Sequence, residues 1–551
     1  MNKNIFSSSL VWVSLLFVAC VPAARKLIRA DQAFQKRLQS HVGFLASDSL
    51  EGRRTGTAGE LLAKNYIAAQ FQQIGLQPKG GSGYEQLFEV NEGKKATAAS
   101  FLSINNDTLR VEQDYFFFPW SAEKPIKAEP TLGVREMDMP WVVDLAEGIN
   151  DNAQNPHFDL NTFVYEQSKK AAEAGAAALL LYNTNPAGDK LTFNPKDKSD
   201  AVKIPVAYVR SASAKKYFTN QEGAIRLQAQ LSFTENIRRG YNVLGYIDNK
   251  SDKTIILGAH FDHLGYGEDN NSRHTGAAAI HNGADDNASG TSLLIELARS
   301  LKQKEAQKNN YLFIAFSGEE LGLYGSKYFT DHATIDLKQV NYMINMDMVG
   351  RLPDSSKTIT LGGYGTSPAW SSVIDVKSTQ PLGIRIDSSG TGPSDHSSFY
   401  RKDIPVLFYF TGLHTDYHKP SDDADKINYS GMVTILRHIE KTIDGLNEQP
   451  KLAFLKTREA QTTTTARFSV TMGIMPDYTF SGKGVRADGV SEGKPAQKAG
   501  LKAGDIVLQI GDYSISSMEN YMQTLGKFKK GETVKVLYLR GDKTLEVNVT
   551  F

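Results

Sequence analysis

Four short apolar runs, each followed by histidine or acidic residues, constrain the fold of this chain more than any other feature. Continuous apolar runs of this length are typical of parallel strands that are buried on both faces. The functional sites of an open α/β sheet lie beyond the carboxyl ends of its strands. The pattern therefore predicts an α/β fold whose site lies at one edge of a parallel sheet. The runs are residues 254–259, 311–316, 340–346 and 404–410.

Two adjacent carboxylates, Asp285 and Asp286, lie in a turn of small residues between the first two runs. Leucines recur at helical spacing in residues 291–301, directly after this turn. The sequence therefore places Asp286 and Asn287 where a helix begins. The glycines on either side of the turn let the backbone pass close to whatever the carboxylates hold.

His260 and Asp262 follow the first apolar run. Because they are two residues apart, their side chains face the same way if the strand continues. The carboxylate of Asp262 is then expected to accept the second imidazole N–H of His260. Such a bond would fix the tautomer of His260 and orient its ring as a metal ligand.

The polar residues after the apolar runs form a series of motifs that resembles the M28 family of zinc aminopeptidases, over roughly half the chain. The resemblance implies a mixed-sheet α/β core, the zinc exopeptidase (phosphorylase/hydrolase-like) fold. It also implies a zinc-dependent aminopeptidase that removes N-terminal residues from peptide substrates. In chain order the motifs are His260-Phe261-Asp262, Asp286-Asn287-Ala288-Ser289-Gly290, Ser317-Gly318-Glu319-Glu320, Asn345-Met346-Asp347 and Tyr417-His418.

The same resemblance implies two zinc ions per chain. It gives His260 and Asp347 to one ion and Glu320 and His418 to the other. Asp286, at the cis-prone turn before the helix, would bridge both ions, because the family's bridging aspartate directly precedes the residue that leads into Ala-Ser-Gly. Zinc takes imidazole and carboxylate ligands and keeps a position for water in catalytic sites. Cobalt or manganese would also suit these nitrogen and oxygen donors.

Catalytic roles follow from the resemblance as well. The nucleophile would be a hydroxide that bridges the metals, and Glu319 would act as general base and then as general acid. Tyr417 matches a family position that hydrogen-bonds the oxyanion. Asp395 and His396 resemble a segment near the substrate. They would either contact the substrate or support the ligands, and both alternatives remain open.

Other functions fit parts of the sequence. A glutaminyl cyclase has the same fold around one zinc ion, and the complete ligand set argues against it. Carboxypeptidase or dipeptidase activity also occurs among relatives of the family. A binding protein without activity would have no need of Glu319.

The length of 551 residues predicts several domains. Residues 93–235 resemble the protease-associated (PA) domain that is often inserted in M28 enzymes, and residues 165–178 within it are predicted to form a helix. The predicted segments are a signal peptide with a lipobox-like end (1–20), the N-terminal part of the peptidase domain (21–92), the PA-like insert (93–235), the main peptidase domain (236–450), a linker (451–465) and a PDZ domain (466–551).

The last segment strongly resembles a PDZ domain of the bacterial protease-associated kind, with alternating strands predicted at residues 534–539 and 544–549. Its carboxylate loop would be Met472-Gly473-Ile474-Met475, whose backbone N–H groups could hold the C-terminus of a peptide or protein. Pro476 follows directly and lacks an N–H, which argues against full strand addition. Peptide binding and a structural or assembly role are both left open.

The N-terminus carries an apolar stretch at residues 10–21, which is short for a membrane span and fits a signal peptide. Phe17-Val18-Ala19-Cys20 resembles a bacterial lipobox, and Cys20 is the only cysteine. Lipidation of Cys20 is therefore expected, with an ordinary cleaved signal peptide as the alternative. The protein would be exported as a membrane-anchored lipoprotein of the periplasm or cell surface, and otherwise be periplasmic or secreted. A net charge of +1 gives no reason to expect nucleic acid as a partner, or membrane contact beyond a lipid anchor.

Overall fold

The computed structural model describes most of the chain in two compact units. The first unit comprises Met1–Glu89 and Arg239–Thr462, and the second comprises Val90–Arg238 and Thr463–Phe551. Cys20 lies outside the described residues, so its lipidation stays a prediction. Among the helices of the described residues, none combines the length and the apolar character that a bilayer span requires. The described residues are 29–153, 155, 158–185, 189–219, 223–269, 271–377, 381–457, 470–476, 480, 482–490, 493–516 and 518–551.

Strands and helices are numbered here along the chain. The strands are β1 (Gln77–Pro78), β2 (Glu85–Ala96), β3 (Phe101–Ile104), β4 (Asp107–Thr108), β5 (Tyr115–Phe117), β6 (Ile126–Ala128), β7 (Pro140–Asp144), β8 (Ala178–Tyr182), β9 (Val206–Val209), β10 (Leu227–Gln230), β11 (Phe233–Ile247), β12 (Thr254–His260), β13 (Asn310–Phe316), β14 (Val340–Met346), β15 (Thr358–Gly362), β16 (Gly383–Ile386), β17 (Val406–Phe410), β18 (Ile474–Pro476), β19 (Val485–Val490), β20 (Ile506–Ile510), β21 (Tyr513–Ser514), β22 (Thr533–Arg540) and β23 (Lys543–Thr550). The helices are α1 (29–45), α2 (Ala58–Ile74), α3 (Ala146–Asp151), α4 (Leu160–Glu173), α5 (Ser211–Ala214), α6 (Gly290–Lys302), α7 (Tyr324–Asp331), α8 (Trp370–Val373), α9 (His396–Tyr400), α10 (Tyr429–Leu446), α11 (Pro495–Lys498) and α12 (Met518–Leu525).

The first unit is built on a mixed sheet with the strand order β1-β11-β13-β12-β14-β17-β15-β16, and β2 pairs with β11. The central strands β13, β12, β14 and β17 are parallel, whereas β11 and β15 join them antiparallel. Every residue of β12, β13 and β14 is buried. The four apolar runs are thus confirmed as parallel strands, and their carboxyl ends lie at one edge of the sheet.

Helix α6 packs against β12, α2 and α10 and carries the predicted leucine face. Leu293, Leu294 and Leu297 are completely buried. Burying one such side chain contributes about 1.5–3 kcal/mol relative to leaving it exposed. This packing fixes the amino-terminal end of α6 beside the sheet edge, directly after the turn Ala284–Ser289.

The second unit contains the insert and the C-terminal domain. The insert has two sheets, with the orders β4-β3-β10-β6 and β5-β9-β8-β7. The helix predicted at 165–178 is wrong in its bounds, because α4 spans Leu160–Glu173 and Ala178 opens β8. Asp159 caps the amino terminus of α4 by accepting from the backbone N–H of Thr162 at 2.8 Å. Gly175, with a φ of +91°, turns the chain after the helix.

The C-terminal domain has the strand order β18-β19-β20-β22-β23, and β21 pairs with β20. The two predicted strands are confirmed as the antiparallel pair β22 and β23. Residues 451–457, which were predicted to begin the linker, instead contact the first unit. The backbone N–H of Leu452 donates to Asn341 at 2.8 Å, and that of Leu455 donates to the carbonyl of Thr366 at 2.8 Å. These hydrogen bonds join the first residues of the predicted linker to the first unit, and the bounds of the linker stay a prediction.

Candidate active site

The first unit brings the five predicted metal ligands together at the carboxyl edge of the sheet. His260 ends β12, Asp347 directly follows β14, and Glu320 follows β13. His418 lies in the segment after β17, and Asp286 lies in the turn before α6. Parallel strands direct their carboxyl ends to one edge, which is why residues far apart in sequence meet there.

The donor atoms of these side chains form two sets that share Asp286. In the first set, His260 Nε2 lies 3.3 Å from Asp347 Oδ1 and 3.4 Å from Asp286 Oδ1. In the second set, His418 Nε2 lies 3.3 Å from Asp286 Oδ2 and 3.3 Å from Glu320 Oε2. The two carboxylate oxygens of Asp286 therefore face different sets.

These separations suit zinc. With bonds of about 2.0–2.1 Å, neighbouring ligand atoms of a tetrahedral zinc ion lie about 3.3–3.4 Å apart. Imidazole nitrogens and carboxylate oxygens are also the donors that zinc takes in catalytic sites. The residues present therefore fit the metal that the motifs imply.

The tautomers of both histidines suit a metal as well. The Nδ1–H of His260 donates to the backbone carbonyl of Asp262 at 3.2 Å, and the Nδ1–H of His418 donates to the carbonyl of Asn271 at 2.7 Å. Each ring then directs the lone pair of Nε2 at the cluster. The predicted bond from His260 to the carboxylate of Asp262 was wrong, because that oxygen lies 3.8 Å away. The carboxylate instead accepts from the backbone N–H of Glu319 at 3.2 Å and from Thr55 Oγ1 at 3.0 Å.

Buried negative charge dominates the electrostatics of the cluster. Burial, and then the charge of Glu320, raises the pKa of Asp286 to about 7. Burial alone would lower the pKa of His418, but the neighbouring charges, Glu320 first, raise it to about 11. The pKa of His260 likewise lies well above its usual value, because the charges of Asp347 and Glu319 outweigh its burial. The same negative charge that raises the pKa of both imidazoles would favour metal cations in place of those protons.

The turn that carries Asp286 is held from several sides. Asp422 Oδ2 accepts from the backbone N–H groups of Asp285 at 2.9 Å and Asp286 at 3.0 Å. Asp285 Oδ1 accepts from the backbone N–H of Gly350 at 2.6 Å and from Ser289 Oγ at 3.0 Å. Asp285 therefore anchors the turn, and Asp286 is the carboxylate presented to the cluster.

Asn287 ties this turn to the strand end that carries Asp347. Its Nδ2 donates to the carbonyl of Met346 at 2.9 Å, and its Oδ1 accepts from the backbone N–H of Met348 at 3.1 Å. The Asp286–Asn287 peptide bond is cis. The amide of Asn287 thus sets the position of Asp347 relative to Asp286 from both sides.

Two further side chains enter the cluster. Glu319 Oε2 lies 4.0 Å from His260 Nε2, farther than the separation expected between two ligands of one zinc ion. His263 Nδ1 lies 2.8 Å from Glu320 Oε1, which is a hydrogen-bond distance. Burial lowers the pKa of His263 to about 4, so the ring is neutral and its Nδ1–H donates to Glu320.

Tyr417 directly precedes His418 in the chain. The two rings stack with centroids 3.9 Å apart, and the guanidinium of Arg273 lies 4.8 Å from the centroid of the Tyr417 ring. Burial, and then the charges of Asp286 and Glu320, raises the pKa of Tyr417, which keeps its hydroxyl protonated. The structure thus leaves Tyr417 as a neutral donor beside the cluster.

Asp395 and His396 are both buried next to the sheet edge. Burial raises the pKa of Asp395 to about 7. His396 stacks on Phe408 with ring centroids 4.4 Å apart, and burial lowers its pKa to about 3. His396 is thus a neutral ring packed against the ring of Phe408.

Several residues of the site were not found from the sequence. Asp422 accepts from Asp286, which lies 136 residues away along the chain, and Asn271 accepts from His418, which lies 147 residues away. Arg53 was given no function from the sequence, yet its side chain is completely buried beside the cluster. No local spacing rule marks such residues.

The predicted carboxylate loop lies in the C-terminal domain. Met472 is completely buried in the core of that domain, and Gly473 has a φ of +77°, which favours glycine. Ile474 and Met475 belong to β18, and Pro476 is its last residue. Because β18 ends the strand order of its sheet, one edge of it has no strand partner among the described residues.

Comparisons with known proteins agree with this organisation. Residues 242–443 match the family model for peptidase family M28, and residues 467–551 match the model for the PDZ domain. Aminopeptidase YwaD of Bacillus subtilis is 30% identical over 280 residues, which are 48% of this chain and 56% of the relative. Leucine aminopeptidase 2 of Trichophyton rubrum is 29% identical over 259 residues, covering 45% of this chain and 48% of the relative.

The chain thus spans about half the length of these curated relatives. Among solved structures, a zinc aminopeptidase from Bacillus subtilis is 22% identical, with a TM-score of 0.42. That alignment covers 78% of this chain and 96% of the other.

Proposed function

We propose, from the premise that residues 242–443 form a peptidase family M28 domain, that the protein is a zinc aminopeptidase that removes N-terminal residues from peptides. One observation carries the proposal. There are two sets of imidazole and carboxylate donors, and in each the histidine Nε2 lies 3.3–3.4 Å from two carboxylate oxygens, as around a tetrahedral zinc ion. Asp286 contributes one of its two oxygens to each set.

Each donor set would hold one zinc ion. His260 and Asp347 would hold the first ion, Glu320 and His418 the second, and Asp286 both. Bound there, the pair of ions would polarise the substrate carbonyl and lower the pKa of water. Three ionised carboxylates among the ligands would offset most of the charge of two dications, which suits a largely buried site.

Glu319 would act as the proton carrier. Its carboxylate is buried, and burial raises its pKa well above the usual value. A carboxylate with a raised pKa accepts a proton more readily at neutral pH and can return it to the leaving amine. Tyr417, kept neutral by its surroundings, would donate its hydroxyl to the carbonyl oxygen of the substrate as charge develops there.

End-blocked peptides test the direction of cleavage. We expect release of the first residue from peptides with a free amine, loss of cleavage when that amine is acetylated, and retention of cleavage when the C-terminus is amidated. A chelator should abolish activity, and added zinc should restore it. The measurement is a fluorogenic aminoacyl panel combined with mass spectrometry of blocked peptides. Cleavage that requires a free carboxyl terminus would instead identify a carboxypeptidase or dipeptidase.

Metal stoichiometry separates the proposal from a glutaminyl cyclase. We expect two zinc ions per chain by elemental analysis of metal-replete protein, and no pyroglutamate from peptides that begin with glutamine. One ion per chain together with pyroglutamate formation would support the cyclase instead.

For the PDZ domain we propose binding of a peptide C-terminus along β18. Within the described part of the chain, one edge of that strand has no strand partner. This edge and the left-handed Gly473 support the proposal, since strand addition uses backbone N–H and C=O groups. We expect saturable binding of labelled peptides with a free carboxyl end to the full-length chain carrying Glu319→Gln. Amidated peptides should not bind. Equal binding of both peptides, or of neither, would favour a structural role.

Export with lipidation at Cys20 is also part of the proposal, and the lipobox-like Phe17-Val18-Ala19-Cys20 supports it. In a bacterial host we expect incorporation of labelled palmitate into the protein and its recovery with membranes. Cys20→Ser should abolish both. A membrane-bound but unlabelled Cys20→Ser variant would speak against the lipid anchor.

A further inference from the structure

Arg53 is a completely buried cation whose guanidinium donates hydrogen bonds, among the residues that the structure describes, to main-chain carbonyls only. Its Nε donates to the carbonyl of Phe261 at 2.8 Å. One terminal nitrogen donates to the carbonyls of Leu45 and Asn282, the latter at 2.7 Å, and the other donates to that of Gly283 at 3.1 Å. Four of the five guanidinium N–H donors are thus accounted for.

Three of these carbonyls, all except that of Leu45, belong to segments that carry metal-ligand candidates. Phe261 directly follows His260, and Gly283 lies three residues before Asp286. In the first set, His260 Nε2 and Asp286 Oδ1 are 3.4 Å apart. One planar guanidinium group therefore spans the two backbone segments whose separation sets the distance between these donor atoms.

The backbone around Arg53 is adapted to this position. Arg53 has a φ of +49° and Gly52 a φ of +71°. A Cβ on Gly52 would lie 2.6 Å from the carbonyl oxygen of His281 and 2.7 Å from that of Gly265. A glycine at position 52 is thus required for the turn to come close enough for Arg53 to reach inward. This gives the Gly52-Arg53 pair of the sequence a physical role.

Charge also favours a positive group here. Burial lowers the pKa of Arg53 to about 10, against the opposing effect of Asp286, Asp262 and Asp422, so the group stays charged at neutral pH. Because the guanidinium binds carbonyl oxygens, it leaves the carboxylate oxygens of the cluster available to cations.

We propose that Arg53 is a positioning residue of the metal centre, which fixes the strand end at His260 and the turn before Asp286 at the spacing that zinc requires. The proposal rests on the zinc aminopeptidase function proposed above. Partners that orient ligands from outside the coordination sphere are worth about 10–100-fold in metal affinity or activity.

The test compares the full-length chain with Arg53→Met and Arg53→Lys. We expect Arg53→Met to bind zinc about 10–100-fold more weakly in a chelator-competition titration and to lower kcat with little change in KM. Arg53→Lys should recover only part of the affinity, because an ammonium group keeps the charge but lacks the planar fork. Wild-type zinc affinity in a folded Arg53→Met variant would overturn the proposal, and so would full recovery by lysine.

Two controls separate positioning from general damage. Arg54→Met removes the neighbouring arginine, which pairs with Asp269 at 2.8 Å, and should leave zinc affinity unchanged. Leu436→Ala, in the core of α10, should lower the unfolding temperature without changing zinc affinity. If Arg53→Met does not fold, the zinc affinity of Arg53→Lys is compared with that of Leu436→Ala. The same loss of zinc affinity in both variants would overturn the proposal.

Zinc affinity is measured on every variant without any substrate. A wild-type protein that binds zinc but cleaves no peptide would therefore refute the proposed function alone. The comparison of Arg53→Met and Arg53→Lys with wild type would still test the positioning role.

Discussion

Replacing Glu319 with glutamine is expected to lower kcat by about 10²–10⁴-fold, because it removes the proton carrier while keeping the shape of the side chain. Zinc content should stay at the wild-type level, since Glu319 Oε2 lies 4.0 Å from His260 Nε2 and outside the spacing of the two donor sets. KM should also change little, since Glu319 lies outside the two donor sets and the substitution leaves them intact. The measurements are steady-state kinetics on a fluorogenic aminoacyl substrate and elemental analysis.

The neighbouring glutamate provides the contrast. Glu320→Gln removes a charged donor at 3.3 Å from His418 Nε2 and should lose both zinc and activity. If Glu319→Gln kept full activity, the base would lie elsewhere and the protein would not work as proposed. If Glu319→Gln lost zinc, Glu319 would be a ligand.

The second large effect is expected at the adjacent aspartates. Asp286→Asn should lose zinc and nearly all activity, because the oxygens of Asp286 are the only donors shared by the two sets proposed here. Asp285→Asn should keep zinc but destabilise the fold by about 1–3 kcal/mol, since it weakens a buried hydrogen-bond network. Elemental analysis and urea unfolding, performed on both variants, measure these effects.

This pair is informative because the two residues are chemically identical and adjacent in sequence. Asp285 Oδ1 accepts from Gly350 and Ser289, whereas Asp286 faces two histidines. The reverse result, with zinc lost in Asp285→Asn and retained in Asp286→Asn, would contradict the ligand assignment.

Much of the first unit follows from the local sequence pattern. The strands β12, β13, β14 and β17 are short apolar runs, and a parallel sheet places their ends together whatever the rest of the chain does. His260, Glu320 and Asp347 lie within four residues of such ends, so their convergence could be predicted. Helix α6 was equally predictable, because its leucines recur at the helical period.

Other features depend on tertiary contacts that override local preference. The Ala-rich helix predicted to continue to residue 178 ends at Glu173, because Ala178–Tyr182 forms a strand that pairs with β7 and β9. His260 was expected to donate to the carboxylate of Asp262, but it donates to the backbone carbonyl of that residue instead. The carboxylate is drawn instead to the backbone N–H of Glu319, 57 residues away in sequence.

The sequence by itself therefore determined that polar side chains follow the strands to one edge of the sheet, since strand periodicity is a local property. The resemblance to the M28 family selected the ligand candidates among them. Only the tertiary structure decided how those side chains are held. Arg53 meets Phe261 and Gly283 across 208 and 230 residues, and Asp422 meets Asp286 across 136. Hydrogen bonds to backbone groups at such separations have no signature in the local pattern, because a carbonyl or N–H is the same in every residue except for the missing N–H of proline.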